Sequence, residues 1–287
     1  MKTIFKDIEL QHEFWEKGYI KIKMFSQDEI DELKAFYYAQ HPDSRFNKQE
    51  KNVKYHFTFL DTNKEYKNKV FDFVSSKIQP KLDIYFADYE PLVINFVQKE
   101  PGLGEVPVHQ NWNFVDESKY VTVSVWCPMV DVAEINGTIE VVPYTHRMFR
   151  NILRSPSIPW FFTGYEKHII DDYCQPIEVK AGEVVIFDDS IVHYSKPNMG
   201  TYNRLVIQVI AKPKEAQAKH YYMKKKFLGY EVQEMDVDKN FFLNFQYHIT
   251  DKPVGELRHK QIKYNLPKIN RKKFDDIYQQ YSNGTNN

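Results

Sequence analysis

Val108-His109-Gln110-Asn111-Trp112 and, further on, Asp188-Asp189-Ser190-Ile191-Val192-His193 are the two stretches on which the reading of this chain turns. Both have strand character, and side chains i and i+2 of a strand share a face. His109 and Asn111 then look into one cavity while Gln110 looks away, and His193 reaches the same point from a neighbouring strand. The two histidines are 193 − 109 = 84 residues apart, too far for a local finger and suited to a site assembled by tertiary folding. Two imidazoles and a carboxylate on one face hold a redox-active iron and leave three of its positions open. Here the third position carries an amide, Asn111.

Working outward, the first ninety residues mix helix and strand. Ser26 and Glu29 form a capping box, with Phe25 and Ile30 as its staple, ahead of the apolar stripe Ile30, Leu33, Phe36, Tyr37. A second helix is predicted from Asn63, with Tyr66, Val70, Val74 and Ile78 on one face, and Pro80 should interrupt or restart it. From Leu92 the pattern turns to short strands. Tyr120 to Trp126 alternates strictly, with Val121, Val123 and Val125 on one face and Thr122, Ser124 and Trp126 on the other, which suits a cavity wall. Asn136-Gly137 is a hairpin-type turn signal. Further strands are expected over 178–187, at His193 and over 204–211. The proline-broken, aromatic segment 151–173 reads as either a substrate lid or a self-packed loop. The reading is one domain: a helical preface (1–90), a β core (91–213) with an insertion (150–175), and a C-terminal extension (214–287).

Composition narrows the class. Aromatic residues make up 16% of the chain (20 Tyr, 21 Phe), which favours sheet over helical bundle. Lys+Arg and Asp+Glu are both 39, so no global field draws the protein to nucleic acid or to an anionic membrane. Two cysteines, Cys127 and Cys174, make no disulfide framework and read as buried small hydrophobes. No apolar run reaches the ~20 residues that cross a bilayer. A cytoplasmic protein with a small-molecule partner is expected.

Many short strands after a helical preface imply a mostly β, α+β architecture, an antiparallel jelly roll. His109-Gln110-Asn111-Trp112, Phe114-Val115-Asp116-Glu117, Trp126, Asn136-Gly137, Val142-Pro143-Tyr144-Thr145-His146, His193 and Arg204 together resemble the phytanoyl-CoA dioxygenase-like family. The resemblance spans roughly residues 95 to 213. It implies a double-stranded β-helix of the cupin type, with iron(II), 2-oxoglutarate and O2 as cofactors and hydroxylation of an unactivated C–H bond as the usual outcome. His109 and His193 match the iron-binding and catalytic histidines. Arg204, 204 − 193 = 11 residues past the second, matches the arginine that grips the far carboxylate of 2-oxoglutarate. That role suits a planar guanidinium better than an ammonium. Gln98 and Thr138 are further candidates for cosubstrate contacts, and Asn136-Gly137 matches a turn near the family's cosubstrate pocket. Tyr144-Thr145-His146 departs from the family's usual Gly-Ser-His, which keeps His146 off the ligand set. Trp112, Asn113, Trp160 and the stretch 156–162 are candidate substrate walls. Arg147, with Arg150 and Arg154, could receive an anionic group or form an exposed basic face, the latter being slightly favoured.

Asn111 stands where the family pattern has Asp. An amide carbonyl can still face a metal, but it carries no charge. Four readings are open: an Asp-to-Asn change made to trap an inactive complex, a native altered oxygenase, a ligand supplied by another acid (Asp116, Glu117, Asp188 or Asp189), or a jelly roll that binds without turnover. Within the enzyme class, desaturation, cyclisation and halogenation are alternatives, and halogenation ranks below hydroxylation because Asn is larger than the small residue that admits halide.

Overall fold

The computed structural model describes residues 3–40, 55–226, 229–245 and 259–283. Tyr247, His248 and residues 284–287 lie outside the described residues.

The described helices are α1 (Ile8–Lys17), α2 (Gln27–Gln40), α3 (Lys64–Tyr85), α4 (Thr145–Phe149), α5 (Glu166–Tyr173), α6 (Lys239–Leu243) and α7 (Arg271–Ser282). The described strands are β1 (Tyr19–Lys23), β2 (His56–Phe57), β3 (Tyr89–Lys99), β4 (Val106–His109), β5 (Val123–Pro128), β6 (Glu140–Val142), β7 (Gln175–Pro176), β8 (Glu183–Asp188), β9 (Val192–Ser195), β10 (Arg204–Pro213), β11 (Lys219–Lys226), β12 (Gly229–Asp236) and β13 (His259–Tyr264). They form a six-stranded sheet, β1-β8-β5-β10-β3-β2, a four-stranded sheet, β4-β9-β6-β7, and a three-stranded sheet, β11-β12-β13. Every pairing is antiparallel. The first two sheets make the jelly roll. Its larger sheet takes both edge strands, β1 and β2, from the first ninety residues, so that segment is more than a helical preface.

One face of the six-stranded sheet is covered by helices. Val70, Val74, Ile78 and Leu82 of α3 pack with Phe96, Val125, Ile207 and Val209 in one core. The i+4 stripe therefore does what its spacing predicts. The α2 capping box forms as expected, with Ser26 N–H donating to Glu29 Oε2 (2.8 Å) and Glu29 N–H to Ser26 Oγ (3.2 Å). Pro80 does not interrupt α3, which runs through it. Pro80 and Ser76, whose carbonyl loses its helical donor, are both on the exposed side, where water can supply the missing bond. Gly18 closes α1 at φ 89°, and a Cβ there would collide with the His146 ring, so glycine is required on two counts.

The other face looks into the barrel. Register puts Asn95, Gln208, Trp126 and Val185 in one row across β3, β10, β5 and β8, and Val93, Ile210, Ser124 and Phe187 in the next. The alternation predicted for Ser124 and Trp126 holds, although the strand starts at Val123. Asn136-Gly137 is not a two-residue hairpin turn. It ends a 3-10 turn (Glu134–Asn136), with Gly137 in the left-handed region and Asn136 Oδ1 accepting from Ala133 N–H at 2.8 Å.

Candidate active site

β4 and β9 pair antiparallel, with His109 directly opposite His193. A directly opposed pair projects to the same face, and the imidazole centroids are 4.1 Å apart. Each ring is tied through Nδ1 to a carbonyl two residues back: His109 to Pro107 O at 2.7 Å and His193 to Ile191 O at 3.0 Å. A carbonyl can only accept, so each Nδ1 carries the proton and each Nε2 presents a lone pair. Burial pushes His109 down to about 4. Burial first, and the His109 ring second, push His193 well below the usual imidazole value. Two neutral imidazoles with free Nε2 atoms and Nδ1–H held by carbonyls are arranged as metal ligands are.

Asn111 follows β4 and lines the same cavity. Its Nδ2 donates to Ser124 Oγ at 2.9 Å and to Asp189 Oδ1 at 2.7 Å. Ser124 Oγ also donates to Asp189 Oδ1, at 2.7 Å. An acceptor carboxylate fixes which end of the amide faces it, which leaves Asn111 Oδ1 for the cavity. Gln110 turns away, its Nε2 donating to Ser190 O at 2.5 Å. Asp189 is fully buried, and its Oδ2 has no partner. Burial raises it to about 6, against the lowering effect of the bonds from Asn111 and Ser124. Burial also acts to raise Asp188, but Arg150, His146 and Ser190 outweigh it and hold that carboxyl below the usual range. Of the four acids weighed as substitutes, Asp116 bonds Ser118 and Lys119, Glu117 pairs with Arg154, and Asp188 pairs with Arg150. Asp189 alone meets Asn111, from behind. Among the described residues no cluster of three His, Cys, Asp or Glu side chains is placed to hold a metal.

Arg204, at the start of β10, is 1% exposed yet lines the cavity, with its guanidinium 5.7 Å from the Trp126 ring centroid. Burial lowers it to about 9, and its Nε has no partner. A buried cation with unspent donors is a receptor for a carboxylate. The cavity it shares with the histidines has a volume of about 230 Å³.

Other sequence-predicted residues lie elsewhere. Gln98 is opposite Leu205 on the helix-covered face, because strand parity sends Asn95, Val97 and Lys99 to the barrel side instead. Thr138 is buried, with Oγ1 donating to Ile177 O at 2.5 Å, and its neighbour Ile139 faces the cavity. Asn113 Oδ1 accepts from Arg154 N–H at 2.5 Å, which spends it on the backbone. Trp112 does line the cavity. Trp160 stands edge-on to His109, with centroids 6.2 Å apart, and stacks on Phe162. The predicted arginine face does not form, because α4 is only five residues long. Arg147 lies over Tyr281, Arg150 binds Asp188, and Arg154 is buried against Glu117.

The sequence reading missed Asn95, Gln208, Ser195 and Lys99. Lys99 Nζ is 2.5 Å from Ser195 Oγ and 2.7 Å from Lys196 O, tying β3 to the end of β9. Burial and the Arg204 charge lower it to about 5. Strand parity could have found all four: Asn95 and Lys99 along β3, Gln208 four residues past Arg204 on β10, and Ser195 two past His193 on β9.

Among solved structures, the chain resembles SnoN, an epimerase in complex with Fe3+, alpha ketoglutarate and nogalamycin RO (TM-score 0.52, 15% identity, 74% of this chain and 85% of that one). It also resembles HygX from Streptomyces hygroscopicus, with nickel, 2-oxoglutarate and hygromycin B bound (TM-score 0.52, 12% identity, 73% and 88%). These likenesses establish the fold. A phytanoyl-CoA dioxygenase domain-containing protein 1 homolog from Dictyostelium discoideum is 26% identical over 145 residues, 48% of this chain and 50% of that protein. Phytanoyl-CoA dioxygenase 1 of Oryza sativa subsp. japonica is 26% identical over 119 residues, 40% and 42%. The chain thus spans half or less of the curated relatives it matches. The family profile described as phytanoyl-CoA dioxygenase (PhyH) matches residues 14–206, two thirds of the sequence. With that match the chain belongs to the phytanoyl-CoA dioxygenase family.

Proposed function

We propose that the protein is an iron(II)- and 2-oxoglutarate-dependent oxygenase that hydroxylates an unactivated C–H bond of a small molecule. The observation that carries this reading is the His109–His193 pair, with both Nε2 atoms free, in one cavity with the sealed Arg204 guanidinium. His109, His193 and the Asn111 carbonyl would hold the metal, and Arg204 would grip the distal carboxylate of 2-oxoglutarate. Iron(II) bound there supplies activation of O2 coupled to decarboxylation of 2-oxoglutarate, with one oxygen atom leaving in succinate and the other entering the substrate. The protein's own part is to keep the imidazoles neutral, to orient the Asn111 amide from behind through Asp189 and Ser124, and to exclude water with the aromatic wall of Phe59, Trp112 and Phe114.

The test is succinate release from 2-oxoglutarate under iron(II), O2 and ascorbate across a substrate panel, with product mass separating oxygen gain from loss of two hydrogens. The uncharged Asn111 favours a second reading, a binding protein without turnover. Protein that binds iron and 2-oxoglutarate but releases no succinate, even as Asn111→Asp, supports that alternative.

A further inference from the structure

We infer that the substrate of this site is an uncharged, largely apolar small molecule that presents one hydrogen-bond donor to the Asn95 side chain. The inference rests on the oxygenase reading for the position of the substrate, and on the cavity's own lining for its chemistry.

His109, His193, Asn111, Ser195 and Arg204 are among the polar residues that line the cavity. Phe57, Phe59, Trp112, Phe114, Val93 and Ile210 line it as one apolar cluster. The Phe59 and Trp112 rings meet edge to face at 5.5 Å, and Trp112 lies nearly parallel to Phe114 at 6.0 Å, giving flat apolar walls. Such walls favour a hydrophobic body or a ring.

Charge decides against an anion. Among the described lining residues Arg204 is the one cation, and the cosubstrate takes it. The nearby arginines are spent: Arg150 on Asp188, Arg154 on Glu117, Arg147 over the Tyr281 ring. Among the described residues, a substrate carboxylate or phosphate inside the cavity would find no partner for the charge it loses from water, which is strongly unfavourable.

One polar feature remains in the barrel wall. Asn95 of β3 is 1% exposed and lines the cavity, and its Oδ1 has no hydrogen-bond partner. Gln208 stands directly opposite in register, its Nε2 only loosely engaged with Ser124 Oγ at 3.5 Å. The Asn95 oxygen is itself buried as placed, and turning the amide end for end brings it to the cavity as an acceptor. 2-Oxoglutarate is acceptor-only at neutral pH and cannot satisfy that oxygen. A hydroxyl or N–H of the substrate can, and a site built to receive a donor discriminates against the analogue that lacks it.

The test is isothermal titration of Mn(II)- and 2-oxoglutarate-loaded protein, without O2, with 2-naphthol, naphthalene and 2-naphthoate. The expected order is naphthol tightest, naphthalene weaker, and naphthoate at least ten-fold weaker than naphthol. Asn95→Leu should reduce naphthol to the level of naphthalene while leaving the 2-oxoglutarate affinity unchanged. Asn95→Ser, which keeps an acceptor, should retain part of the preference and covers the case in which the leucine variant fails to fold. Naphthoate binding as tightly as naphthol, none of the three binding, or Asn95→Leu weakening 2-oxoglutarate instead would each overturn the inference. Failure of the wild type to bind 2-oxoglutarate would overturn the oxygenase reading separately, and the three ligands would then be compared on the metal-free protein.

Discussion

Asn111 Nδ2 lies 2.7 Å from Asp189 Oδ1, so a buried carboxylate stands directly behind the amide that lines the histidine cavity. That carboxylate orients Asn111 together with Ser124.

Asp189→Asn should lower Mn(II) affinity by about 10- to 100-fold, the usual effect of losing a partner that orients a ligand. Asn111→Asp alone would set two carboxylates against each other, and like charges at that distance resist joint ionisation. The double variant Asn111→Asp/Asp189→Asn exchanges acid and amide, and should bind Mn(II) more tightly than either single variant. Calorimetric titration of Mn(II) without 2-oxoglutarate checks the series; wild-type affinity in Asp189→Asn would rule out the orienting role.

Arg204→Lys should weaken 2-oxoglutarate binding by more than ten-fold while leaving Mn(II) affinity within two-fold. A lysine keeps the charge but loses the planar fork that matches a carboxylate. Paired titrations of metal and cosubstrate read the two effects separately, and an equal loss in both would assign Arg204 to general packing.

Arg154 is 1% exposed. It bonds Glu117 Oε1 at 2.5 Å, Asn111 O at 2.8 Å and Ile152 O at 2.9 Å. Burial nevertheless raises Glu117 to about 7, outweighing the guanidinium beside it. Arg154→Met should cost about 3–5 kcal/mol by stranding a buried acid, and Arg154→Met/Glu117→Leu should recover much of that loss. Urea unfolding at neutral pH distinguishes the two variants. A double variant no more stable than the single one would show that the bonds to the backbone, more than the ion pair, carry the stability.

His220 is 4% exposed among Trp112, Phe241 and Phe245, and burial pushes it down to about 4. In the unfolded chain an imidazole takes its proton near 6.5. Between that value and about 4 the unfolded state holds a proton that the folded state does not. The stability present above 6.5 is therefore lost as pH falls through this window. The loss from this residue is about 3 kcal/mol. His220→Phe should show a correspondingly smaller drop in unfolding free energy between pH 7 and pH 4.5, measured by denaturant titration at each pH. Parallel pH profiles for the variant and the wild type would contradict this assignment.

Much of the architecture was legible from local pattern. Helix caps, the i+4 stripe of α3 and the two-faced alternation of β5 depend on neighbours within a few positions, and backbone geometry repeats them reliably. Pro80 was misread because what decides a proline is whether solvent can serve the freed carbonyl, a property of the helix's exposed side. Gln98 was misread because parity along β3 follows the register set by β10, which places Asn95 and Lys99 toward the barrel.

The residue types and spacings of His109, His193 and Arg204 were enough to expect the three in one cavity, which they line. Which acid stands behind Asn111, which arginines are already spent, and which amide is left without a donor emerged only once distant strands were paired. Those properties depend on distance and burial between segments that no local spacing constrains, and folding alone sets them.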